Sequence, residues 1–151
     1  MLSLPVLPAP EPAPGGALER VSGSVGFVGE AVTGSVYLHV PALFAARITG
    51  AMLGLPPEEA PADADVNDVM GEVTNMLAGG LKSWLCDAGA VCILSTPAII
   101  RGSSFHILAS EGVSQIEFNF ASGGHQGRLE AHLKLNEEHA AAAAAAIPRG
   151  D

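Results

Sequence analysis

Basic side chains are scarce in this chain. Seven Lys and Arg stand against sixteen Asp and Glu over 151 residues, for a net charge of −9. Proteins that bind nucleic acid neutralise many phosphates with cations, so that function class is excluded. An anionic membrane surface is disfavoured for the same reason. No apolar run approaches the ~18 residues that a bilayer-spanning helix needs. The first residues, MLSLPVLPAPEPAPGG, lack the basic segment and long apolar stretch of a signal peptide, so the expected location is the cytoplasm. There are only two cysteines, Cys86 and Cys92. They do not form a CxxC, no His/Cys cluster surrounds them, and a reducing compartment would keep them as free thiols. The five histidines, His39, His106, His125, His132 and His139, include no HxxxH pair, which favours core or surface roles over metal ligation. No P-loop and no Ser/His/Asp set is visible.

What is present is a globular composition, 48% hydrophobic and 15% charged, in a length that suits one domain. Residues 1–19 read as a flexible, Pro-rich leader, residues 20–139 as the folded domain, and residues 140–151 as an Ala-rich tail. From Arg20, RVSGSVGFVGEAVTGSVYLHVP predicts two β-rich strands joined near Gly29–Gly34. Pro41 suits the first turn of a helix over ALFAARITGAMLG, and Gly54 with Pro56 and Pro57 ends it. Asp63 or Asp65 can cap a second helix running to about Asp87–Gly89. Strand-like runs follow: VCILSTPAII, FHILAS, VSQIEFNFAS and GRLEAHLKL. In the last two, Ile116, Phe118, Phe120, Leu129, Ala131, Leu133 and Leu135 alternate with polar residues, predicting one buried sheet face and one facing solvent or a partner. The expected fold is α/β (α+β), a largely antiparallel sheet packed with two main helices.

The second helix is the informative element. Wound at ~100° per residue, it places Val66, Val69, Met70, Val73, Met76, Leu77, Leu81 and Trp84 on one apolar arc, with Gly80 directed toward it. Asp68, Glu72, Asn75 and Gly79 form a narrow stripe on the other side. A solvated face would give such a stripe, but a solvated face usually mixes in cations, and here only Lys82 is near. Gly71 and Gly79 border the stripe although each interior glycine costs ~1 kcal/mol relative to alanine. Missing side chains there would let another protein approach closely. Glu72 and Asn75 are one turn apart, so both tips can enter one cleft: the amide can orient a water and the carboxylate can pair with a lysine. Asp68 and Glu72 share one face with no aromatic platform beside them, which argues against sugar hydrolysis.

GEVTNMLAGGLK followed by STPAIIRG resembles the CheX/CheC/FliY group of chemotaxis phosphatases. Asp68, Glu72, Asn75 and Pro97 fill the group's spaced positions, and the likeness runs over roughly residues 21–135. CheC-like members carry the Glu/Asn pair on two helices. ALFAARITGAMLG has no ExxN, so the single site looks more like CheX. The resemblance implies a phosphatase acting on the phospho-aspartate of a CheY-like response regulator, with Glu72 and Asn75 as catalytic residues and Asp68, Gly71 and Gly79 facing the partner. It implies no metal or cofactor of its own, Mg2+ being supplied by the regulator, and a homodimer. A non-catalytic regulator-binding or flagellar-switch-like module is the alternative reading.

Overall fold

The structure, a computed structural model, describes residues 5–10 and 18–136; the Ala-rich tail lies outside the described residues. Seven strands and two helices follow in chain order: β1 (Leu7–Pro8), β2 (Arg20–Gly29), β3 (Val32–Pro41), α1 (Ala42–Leu53), α2 (Asp63–Asp87), β4 (Cys92–Leu94), β5 (Ala98–Gly102), β6 (Ser114–Ser122) and β7 (His125–Leu135). The β-branched alternation of β2 and β3 makes a hairpin in register from Arg20↔Pro41 to Val28↔Thr33. Strand β3 pairs β7, and β7 pairs β6, so the sheet order is β1-β6-β7-β3-β2-β4. The free edge of β2 is shared: β5 lies against Arg20–Ser24 and β4 against Phe27–Gly29. Every pairing is antiparallel, and the expected α+β architecture is the one found.

Local expectations need four corrections. Pro41 is the N-cap of α1, in extended conformation, not its first turn. Ala62 is the N-cap of α2, and Asp63 and Asp65 lie within its first turn, where carboxylates favour the helix dipole. FHILAS forms no strand; the segment turns back on the sheet, where the Phe105 carbonyl accepts from Arg20. Part of the leader is ordered against the sheet: Leu7 and Pro8 pair Ala121 and Phe120, an edge position that tolerates proline.

Both helices pack on one sheet face. Val21, Leu38, Val40, Phe44, Ile48, Val69 and Met70 make one core cluster; Val25, Phe27, Val36, Ala78, Leu85 and Cys92 belong to a second. Helix α2 spans both clusters, whereas α1 serves only the first. Length explains this. The 12 residues of α1 and 25 of α2 correspond to about 18 and 37 Å at 1.5 Å per residue. Among the described residues, the C-terminal half of α2 therefore has no helical neighbour on its α1 side. Met76, Leu77 and Trp84, expected in the core, are 61%, 40% and 37% exposed. Gly80 is exposed too, with nothing within 4 Å of where a Cβ would sit.

The opposite sheet face also departs from expectation. Glu130 and His132, predicted on the polar face, are each 6% exposed, as is His39. Ser22 Oγ lies 2.7 Å from His39 Nδ1, and Glu130 lies 3.6 Å from His39 and 3.3 Å from His132. Arg128 reaches Glu130 and Glu117, while Arg20 donates to the Phe105 carbonyl and sits 4.1 Å over its ring. The segment after β5 thus folds back over this face. Burial, aided by Arg20 and Arg128 and opposed by Glu130, holds the His39 pKa down at about 4.

Candidate functional site

The seat of α2 on the sheet decides where its stripe points. Thr74 is fully buried, and its hydroxyl donates to the Met70 carbonyl at 2.7 Å. Beneath it, Gly23 of β2 has no side chain to offer: a Cβ there would lie 1.9 Å from Thr74 Oγ1. Helix and strand approach that closely only because the position is glycine. The N-terminal half of α2 is tied to β5 by Arg101. Its Nε donates to Asn67 Oδ1 at 2.7 Å, and its Nη1 lies 3.5 Å from both Glu19 and Asp63.

With the helix seated this way, Asp68 and Glu72 are exposed and Asn75 is half-buried. The i, i+3 spacing of Glu72 and Asn75 corresponds to about 5–6 Å between Cβ atoms. Neither side chain is engaged by another described residue. Gly79 continues the open side, with nothing within 4 Å of a built Cβ. Gly71 is different and corrects the expectation that it borders an open face. It is buried, and a Cβ there would lie 3.6 Å from Pro97 Cβ and 4.0 Å from Ile99 Cδ1. The start of β5 packs beside it, which sets exposed Pro97 against the residue that precedes Glu72.

The structure therefore brings Asp68, Glu72, Asn75, Gly79 and Pro97 to one region and turns Gly71 inward. Met76 was missed as a member of this region. The signal that could have found it was the length of the first helix, too short to cover the second. Chemically, the pair offers an amide that can both donate and accept and a carboxylate that can receive an ammonium. Neither is a strong nucleophile. Among the described residues no three His, Cys, Asp or Glu side chains converge to hold a metal ion. No helix of the described residues is long and apolar enough to cross a membrane. Such a site suits a reaction in which positioning a water is the main task.

Comparison with known proteins identifies the family and the fold. The family model described as chemotaxis phosphatase CheX matches residues 21–121. Among solved structures, the chain is similar to chemotaxis protein CheX from Vibrio vulnificus, at 32% identity and TM-score 0.73, covering 89% of this chain and 86% of that one. It is also similar to CheX from Desulfovibrio desulfuricans, at 25% identity and TM-score 0.72, covering 89% of each chain. A CheX–CheY–BeF3–Mg2+ complex from Borrelia burgdorferi shares the fold at 20% identity and TM-score 0.62, covering 76% of this chain and 75% of that one. No curated protein sequence matches. The chain is a member of the CheX family of chemotaxis phosphatases.

Proposed function

We propose that Glu72 and Asn75 are the catalytic pair with which this CheX-family chain hydrolyses the phospho-aspartate of a CheY-like response regulator. The observation that carries the reading is that an amide and a carboxylate, one turn apart and unengaged, stand on the open face of a helix whose opposite face is anchored in the core. Asn75 accepts a hydrogen bond from a water through its amide oxygen and aims it at phosphorus. The water oxygen bonds to phosphorus as the acyl-phosphate P–O bond breaks. The regulator's aspartate departs as a carboxylate, and the water's proton leaves with inorganic phosphate. Glu72 pairs with a lysine of the regulator and so fixes the angle of approach. Positioning and electrostatics supply most of the catalysis in phosphoryl transfer, so few residues are needed.

Two exposed carboxylates one turn apart, Asp68 and Glu72, are a poor cage for Mg2+, which prefers octahedral oxygen sets completed by phosphate. Magnesium is assigned to the regulator, where it neutralises the phosphoryl oxygens. Asp68 and Gly79 complete the partner-facing stripe. The chain is further proposed to act as a homodimer joined through sheet edges. The outer edge of β6 is met by β1 only at Ala121 and Phe120, and by Ala9 at the Asn119 carbonyl. The backbone from Ser114 to Phe118 is left for another strand among the described residues.

The test is phosphate release from a phosphorylated regulator with and without the chain. Faster release in its presence is expected. Tight regulator binding with no acceleration would instead make the chain a non-catalytic binding module.

A further inference from the structure

Where α2 ends, the chain turns back and sets two thiols side by side. Gly89 is left-handed, with φ 88°. Ala90 donates its N–H to the Leu85 carbonyl at 2.8 Å, and Gly89 donates to the Cys86 carbonyl at 3.0 Å. These two bonds make a Schellman turn. Two residues after Ala90, Cys92 opens β4 opposite Gly29 of β2. Leu85, Ala90 and Cys92 belong to one buried cluster, so the turn and the sheet together fix Cys92 against the last turn of the helix. Both cysteines are free, Cys92 buried and Cys86 half-buried, and their side chains are hydrogen-bonded to each other. Burial, with Cys86 adding to it and Lys82 opposing, pushes the Cys92 thiol up. Lys82 lies one turn before Cys86 and places its ammonium near the two sulfurs.

We infer that Cys86 and Cys92 form a reversible dithiol–disulfide site, oxidised by a hydroperoxide with Cys86 as the attacking thiol and Cys92 as the resolving one. Disulfides inside reducing compartments are mostly transient, redox-sensing ones, and a sensing cysteine is reachable by solvent and stands next to a resolving partner. Cys86 meets the first condition and Cys92 supplies the second. The Cys86 thiolate attacks one peroxide oxygen; the S–O bond forms as the O–O bond breaks, and the departing oxygen takes up a proton. With hydrogen peroxide that product is water, and Cys86 is left as a sulfenic acid. The Cys92 thiolate then attacks the sulfenic sulfur. The S–S bond forms, the S–O bond breaks, and the hydroxyl leaves with a proton as a second water. Two thiols have lost two electrons and two protons, and one peroxide has become two waters. The bond fastens the last turn of α2 to β4 and so to the sheet. This chemistry does not depend on Glu72 or Asn75.

The experiment treats the reduced full chain with one equivalent of hydrogen peroxide, blocks the remaining thiols and determines the mass without reductant. The chain should lose two hydrogens and both titratable thiols together, and dithiothreitol should restore both. Cleavage before Asp87 separates the two cysteines, so the fragments should stay joined until reductant is added. The oxidised chain should unfold at a higher urea midpoint than the reduced one, because the bridge restricts the unfolded chain, and Cys86→Ser should abolish that difference. Cys86→Ser should also slow the loss of the Cys92 thiol about tenfold or more, since a buried thiol reacts poorly. In Cys92→Ala, Cys86 should be trapped by dimedone as a sulfenic acid. Cys86 converted to sulfinic acid while Cys92 still titrates as a thiol would overturn the site, as would a bridge that joins two chains. Undiminished loss of the Cys92 thiol in Cys86→Ser would overturn the assignment of the attacking sulfur.

Discussion

Replacing Gly23 with alanine tests how the fold holds the site. The new Cβ would lie 1.9 Å from Thr74 Oγ1, 2.8 Å from Thr74 Cβ and 3.2 Å from Thr74 Cγ2, where ordinary contact begins at 3.4 Å. Rotating the Thr74 side chain does not relieve the clash, because its own Cβ is already too close. Helix α2 must therefore retreat from β2 by between about 0.6 Å, the gap from 2.8 to 3.4 Å that remains if Thr74 rotates, and about 1.5 Å, the gap from 1.9 to 3.4 Å if it does not. Overpacking of this kind costs about 1–3 kcal/mol. Asn75 follows Thr74 directly, and a displacement of about 1 Å in a positioning group costs up to about 10²-fold in rate. Thr74→Ala removes Oγ1 and Cγ2, leaving only the 2.8 Å contact. The double variant should then be less destabilised than the sum of the singles by about 1 kcal/mol. Urea unfolding at fixed protein concentration gives the cycle, and single-turnover phosphate release gives the rate. An unchanged urea midpoint in Gly23→Ala, or additivity within about 0.5 kcal/mol, would refute the reasoning.

Two further outcomes follow from the sheet. The His39 pKa is held at about 4 in the folded chain against about 6.5 when unfolded, so the unfolded state binds the proton first. Stability should be full above pH 6.5 and fall as pH drops toward 4, by at most about 1.4 kcal/mol per pH unit from this group; urea midpoints across that range should flatten in His39→Gln, and an identical slope would remove His39 as the cause. Light scattering should give twice the 15.3 kDa chain mass if β6 edges pair, and a monomer at every accessible concentration would refute the dimer.

Much of this fold was legible because local chemistry and burial agree in it. The β-branched alternation of Val36, Leu38 and Val40 does place those residues in the core, and Gly54 ends α1 in the left-handed conformation. The stripe of Asp68, Glu72, Asn75 and Gly79 needed only the helical period. What failed was whatever depended on a neighbour. A helical wheel assigns Met76, Leu77 and Trp84 to a buried arc, but burial requires a second helix long enough to reach them. The same wheel puts Gly71 beside the stripe and cannot reveal that Pro97 fills the space next to it. Glu130 and His132 alternate as solvent-facing residues should. They are buried because Phe105 and the residues after it cover that face, bonded to Arg20, a long-range contact without local signature. FHILAS has strand composition but pairs no strand, and its Phe105 is instead held by Arg20.

The central claim concerns the division of labour between Asn75 and Glu72. The decisive measurement is single-turnover release of phosphate from a radiolabelled regulator, read beside a binding titration of the same variants. Asn75→Ala should lose about 10²-fold or more in rate and keep its affinity for the phosphorylated regulator, because its contact to the attacking water matters in the transition state. Glu72→Ala should lose both rate and affinity, and its binding deficit should shrink at high salt as screening weakens the carboxylate–lysine pair. Asp68→Ala should lose less than either. Full activity in Asn75→Ala would contradict the account outright.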